Sequence, residues 1–104
     1  MTETQLPKKG FYVHYKHDAN GLEHNYMYEV VGVGKNTEDS TLTVLYRPLY
    51  RNEWMAPADL MSRPLGMFFE SVEWKGVMTP RFSEITDQAL LAELTKARDE
   101  IYHQ

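Results

Sequence analysis

"FYVHYKHDANGLEHNYMYEV", residues 11–30, consists of two strand-like runs flanking an Asn-Gly dipeptide. A type I′ turn needs positive φ at both central positions, and Asn20-Gly21 suits it, so the stretch predicts a hairpin with a two-residue loop. That loop pairs Ala19 with Leu22, His17 with His24, Tyr15 with Tyr26, Val13 with Tyr28 and Phe11 with Val30. The register sorts Phe11, Val13, Tyr15, Tyr26, Tyr28 and Val30 onto one face. Tyr12, His14, Lys16, Asn25, Met27 and Glu29 fall on the other. The first face is the expected core face.

The polar, glycine-containing run at residues 32–41 reads as a loop returning the chain for a third strand over Thr41–Tyr50. There Leu42, Val44, Tyr46, Pro48 and Tyr50 alternate with Thr43, Leu45, Arg47, Leu49 and Arg51. Pro48 cannot donate a ladder hydrogen bond and belongs at an edge, a bulge or the strand's end. Residues 55–64, with prolines near both ends, read as a connection with one helical turn. "MFFESVEW" (67–74), a tight turn at Lys75-Gly76 and a return over Val77–Phe82 predict a second hairpin.

From Thr86 the apolar period changes from two to about 3.6. Leu90, Leu94, Ala97 and Ile101 share a stripe that Leu91 and Tyr102 widen, and Thr86-Asp87 offers a cap and first turn. This amphipathic helix must cover an open end of the sheet or the same helix of a second copy, so a homodimer through it is one expectation. The expected core is Phe11, Val13, Tyr28, Val30, Val44, Tyr46, Phe68, Val72 and Phe82, with Leu90, Leu94 and Ile101 from the helix.

The 104 residues suffice for one hydrophobic core. The 42% hydrophobic and 25% charged content is that of a globular domain, and no apolar run is long enough to span a bilayer. The N-terminal stretch lacks a secretory pattern and the chain lacks cysteine, so a cytoplasmic location is expected, with no disulfide and no thiolate-bound zinc. The net charge of −4 disfavours non-specific attraction to a polyanion. Most of that acidity lies after Ser83. Residues 42–82 hold a net +1.

"GFYVHYK", "YEVVGV", "VLYRPLY", "RPLGMFFESV" and "GVMTPRF", in this order, resemble a bacterial family of small uncharacterised proteins, domain of unknown function 1653. The likeness runs from Gly10 to Phe82 and includes His14, Tyr15, Lys16, Tyr46, Tyr50, Trp54, Arg63, Pro64, Glu70 and Arg81. Two departures stand out. An insert, "HDANGLEHNY", lengthens the first hairpin, and Trp54 is separated from Arg63-Pro64 where the family pattern keeps them together. The resemblance implies a mainly β fold, a small, strongly bent SH3-like antiparallel β-barrel over residues 10–82, in agreement with the strand count; outside the likeness, the sequence itself predicts a flexible segment (1–9) before it and a C-terminal amphipathic α-helix (83–104) after it. The resemblance implies no activity.

"YRPLYRNEW" (46–54) interleaves cations with aromatics. One reading is a groove in which Arg47, Arg51, Arg63 and Arg81, with His14 and Lys16, hold carboxylates or phosphates while Tyr50 and Trp54 stack. The other is that aromatics fill the barrel and the arginines cap its polar face, paired with Glu53, Glu70 or Glu73. If the groove exists, a peptide or protein partner is the first expectation, by analogy with other small barrels, and RNA or single-stranded DNA the second. His14, His17 and His24, with Asp18 and Glu23, hold enough donors for a metal, but their spacing matches no established ligand motif, so neither metal nor cofactor is expected. Gly32-Val33-Gly34 is followed by loop and strand rather than a helix, which excludes a nucleotide loop. His14 and Glu70 are the one acid–base pair to nominate for catalysis, without a nucleophile or a recognisable motif.

Overall fold

A computed structural model describes residues 5–50, 53, 55 and 58–102. It contains β1 (Gly10–His14), β2 (Met27–Lys35), β3 (Leu42–Pro48), β4 (Met61–Pro64), a short α1 (Leu65–Phe68), β5 (Ser71–Trp74), β6 (Val77–Pro80), β7 (Phe82–Glu84) and α2 (Gln88–Tyr102). The strands form an antiparallel five-stranded sheet in the order β4-β3-β2-β1-β7 and a separate β5-β6 hairpin. The chain is therefore mainly β with one long C-terminal helix. No helix among the described residues is long and apolar enough to cross a membrane.

The first hairpin differs from expectation in turn and register. Tyr12 pairs with Tyr28 and Val13 with Met27, one residue away from the predicted ladder, and the strands are joined by a loop over residues 15–26 rather than a two-residue turn. Asn20 and Gly21 instead close a turn in which the Gly21 N–H donates to the Asp18 carbonyl, with Gly21 outside the left-handed region. Asn25 organises the loop. Its amide donates to the Asp18 and Leu22 carbonyls and its oxygen accepts from the Asp18 N–H. A buried side chain so fully bonded can hold an irregular loop, and here His24 and Tyr26 adopt left-handed φ of 61° and 58°.

A one-residue slip exchanges the faces of a strand, yet Phe11, Tyr28 and Val30 remain buried because both faces of this sheet are covered. Tyr12, Tyr28, Val30, Val44, Tyr46, Phe68 and Phe82 form one core. Phe11, Met27, Leu49, Ile85 and Leu94 form the other, against which Val13, Leu90 and Leu91 pack. Tyr12, Met27 and Leu49, expected on polar or mixed faces, are core residues. Val13, Val72, Leu90 and Ile101 are only half-buried. The stripe of α2 thus packs on the chain's own sheet.

The sheet is strongly curled. In β2, Val31 is an extra residue against β3, a bulge that bends the sheet. Four strand spacings separate β4 from β7, roughly 19 Å in a flat sheet. Nevertheless the Arg63 guanidinium on β4 lies 5.6 Å from the centre of the Phe82 ring on β7. Phe68 stacks on Phe82 at 4.6 Å inside the curl.

Other boundaries follow local chemistry. β2 continues through Gly32–Lys35, expected as loop, and only 36–41 turns the chain, with Asn36 and Asp39 oxygens accepting from nearby groups. The helical turn expected within 55–64 falls at 65–68, since Met61–Pro64 pairs with β3. Lys75-Gly76, with φ of 52° and 82°, makes the tight β5-β6 turn as expected. The return strand divides at Arg81, and its second part, β7, joins β1. Asp87 caps α2 by accepting from the Leu90 N–H.

Candidate functional site

His14 ends β1 facing the curled interior and is buried. Its ring stands edge-on to Phe82 at 5.1 Å and stacked with Tyr26 at 5.6 Å. Nδ1 accepts the Lys16 N–H, which leaves Nε2 to carry the proton of the neutral ring. Burial first, then the nearby Arg63, Lys16 and Arg81 charges, push its pKa down to about 4. His14 is therefore a neutral imidazole at physiological pH, set among three cations.

Three elements supply those cations. Arg63, on β4, uses Nε to donate to the Tyr46 hydroxyl and lies over Phe82. Arg81, between β6 and β7, donates to the Met67 carbonyl and to Glu70. Lys16 follows β1. Among the described residues, neither Arg63 nor Lys16 forms an ion pair. The Glu70 carboxylate is taken by Arg81 rather than His14. Beside the cluster, Tyr15 meets Trp74 edge-on at 5.1 Å, and the β5-β6 hairpin exposes Val77 (63%) and Met78 (65%).

Arg47 lies elsewhere. It faces Glu29 across β2 and β3, donates to it at 2.9 Å, and stacks on Tyr102 of α2 with 4.1 Å from guanidinium carbon to ring centre. Arg98 takes the other Glu29 oxygen, so two arginines share one largely buried carboxylate. Tyr50 packs beside Tyr28 and lines a cleft against α2. Arg51 and Trp54 lie outside the described residues. The structure thus brings together His14, Lys16, Arg63 and Arg81 and places Arg47 in a structural network.

Arg47→Ala should therefore cost about 2 kcal/mol in urea unfolding, through loss of a buried charge pair and a ring contact. Arg47→Lys should recover only part of this, since lysine lacks the planar stacking fork. Unchanged stability in Arg47→Ala would return this side chain to the groove. Sequence reasoning passed over Tyr15, Trp74 and the Glu29–Arg98 link. For Trp74, the visible signal was an aromatic residue directly before a type I′ turn.

The family model for DUF1653, a protein of unknown function, matches residues 10–84. A crystal structure of a DUF1653 protein from Bordetella bronchiseptica is similar, with TM-score 0.59 and 26% identity, covering 78% of this chain and 94% of that one. No curated protein matches the chain.

Proposed function

This chain belongs to the DUF1653 family, and from that footing we propose that it is a non-enzymatic binding module that takes a protein partner through an acidic, apolar peptide segment. The observation that carries this reading is the buried neutral His14 beside Lys16 and Arg63, two cations that have no carboxylate partner among the described residues. The half-buried Arg63, held by the Tyr46 hydroxyl and the Phe82 ring, favours a carboxylate or phosphate more than a fully exposed cation does, and the exposed Lys16 adds its charge beside it. The adjoining Trp74, Val77 and Met78 would receive apolar side chains, and exposed aliphatic groups of this kind suit a peptide better than stacked bases. The net charge of −4 also opposes a polyanion.

We read the curled sheet as an SH3-like small barrel, supported by Arg63 of one edge strand lying over Phe82 of the other. The cysteine-free composition supports action in the cytoplasm.

An amide-resolved NMR titration tests the binding reading, with one arm a pool of short acidic, aromatic-containing peptides and the other a degenerate oligonucleotide pool, each at low and moderate salt. Peptide-induced shifts at His14, Tyr15, Lys16, Arg63, Trp74 and Arg81, abolished by Lys16→Ala with Arg63→Ala, are expected. Shifts from the oligonucleotide alone, fading steeply with salt, would replace the peptide by a nucleic acid. Silence in both arms would overturn the reading.

A further inference from the structure

At the far side of the sheet, the loop between β1 and β2 meets α2 through Glu23, His24 and Glu93. One ligand-type atom from each lies within 4.8 Å of the other two. We propose that these three residues bind a divalent transition-metal ion of the zinc type, which ties the loop to the helix.

Several features favour an ion over an ordinary polar contact. The His24 imidazole is mostly buried, and its Nε2 donates to Glu93 at 2.9 Å, so a metal would take the place of one proton between two groups already aimed at each other. Ligand atoms around a tetrahedral zinc stand roughly 3.4 Å apart, given Zn–N and Zn–O bonds near 2.1 Å. Small side-chain rotations close the remaining distance. Among the described residues, no lysine or arginine pairs with Glu23 or Glu93, leaving two carboxylates beside one imidazole without a cation.

The donor set selects the metal class. An imidazole nitrogen with carboxylates suits zinc and its neighbours, whereas magnesium and calcium favour all-oxygen sites. Three protein ligands leave a fourth position for water. Glu23 and His24 also line a cleft of about 240 Å³ with Tyr50, Glu100 and Ile101. His17, the histidine expected opposite His24, is not among the donors that come together here: its Nδ1 is bonded to the Asn25 carbonyl oxygen, and the group within 4.8 Å is Glu23, His24 and Glu93. Glu93 lies beyond the residues that the family model matches, so the site is built from this chain's own loop and helix.

The test is calorimetric titration of the full chain with Zn²⁺ alone, alongside Co²⁺ followed by its visible absorption and Mg²⁺ as the hard-cation control. One equivalent of Zn²⁺ should bind and raise the melting temperature, Co²⁺ should give tetrahedral-type bands, and Mg²⁺ should do neither. His24→Ala and Glu93→Gln should each weaken Zn²⁺ binding by about tenfold or more, with His17→Ala leaving it in place. Should His24→Ala fail to fold, Glu93→Gln decides, because it changes an exposed helical position. No binding of Zn²⁺, or binding that both substitutions leave intact, overturns the proposal.

Discussion

Phe82→Ala is expected to lower the unfolding free energy by about 3–5 kcal/mol, the usual cost of deleting a buried aromatic ring. Phe82 lies on edge strand β7, where in a flat sheet its ring would meet only β1. In the curled sheet it touches His14, Tyr28, Tyr46 and Phe68, and Arg63 lies over it. These contacts join β1, β2, β3, β4, α1 and β7 in one cluster. A domain of this size is stable by roughly 5–15 kcal/mol, so the substitution should remove a large share of the total. Urea unfolding measures it directly. If Phe82→Ala does not fold, Phe82→Leu should still unfold well before the parent, since a smaller group leaves part of the ring's space empty. A loss below about 1 kcal/mol in Phe82→Ala would mean that the sheet does not close around this ring.

The same ring shows what could be read from the sequence. Val44 and Tyr46 alternate with half-buried residues, the Lys75-Gly76 turn has the positive φ that tight hairpins demand, and α2 follows its 3.6 period. These are local signals, and they gave the mainly β class and the helix. The first hairpin did not yield to local reading. Asn20-Gly21 was a sound turn signal, but Asn25 bonded the loop backbone and set the ladder one residue away. The predicted division of faces assumed that one side was wet. Because α2 covers the second face, Phe11 and Tyr12 are both buried, a pattern typical of strands enclosed on both sides.

The site was legible in its residue types and not in its grouping. Arg47, Arg63 and Arg81 all come from segments with aromatic neighbours, so composition could not separate them. Cross-strand pairing did. Arg47 stands opposite Glu29, and opposite charges in directly facing positions attract. Arg63 reaches His14 only through the curl, which depends on the bulge at Val31 and on rings from distant strands. The pairing of His24 with Glu93 is equally non-local, bridging 69 residues.

The other large effect is an acid limb in stability. The folded pKa of His14 is about 4 against an ordinary 6.5, because burial and the Arg63, Lys16 and Arg81 charges disfavour the imidazolium. Between these values the unfolded chain binds the proton and the folded chain does not. Stability is therefore fully present above about pH 6.5 and falls as the pH drops toward 4, by roughly 3 kcal/mol in all. His14→Gln keeps an acceptor for the Lys16 N–H and removes the titration, so its stability should be flatter between pH 6.5 and 4.5. Other titrating groups are common to parent and variant, so the difference between the two isolates His14. Equal slopes would mean that this imidazole protonates in the folded protein as freely as in the unfolded one. The same titration bears on binding, because proton and ligand affinities are linked reciprocally. A carboxylate seated between Arg63 and Lys16 would offset the charges that now depress the imidazolium. Bound peptide should then raise the His14 pKa, followed through its ring protons, and binding should tighten as the pH falls from 6.5 toward 4.5. A peptide that binds with no such rise would have to sit away from the imidazole, on the Trp74 hairpin alone.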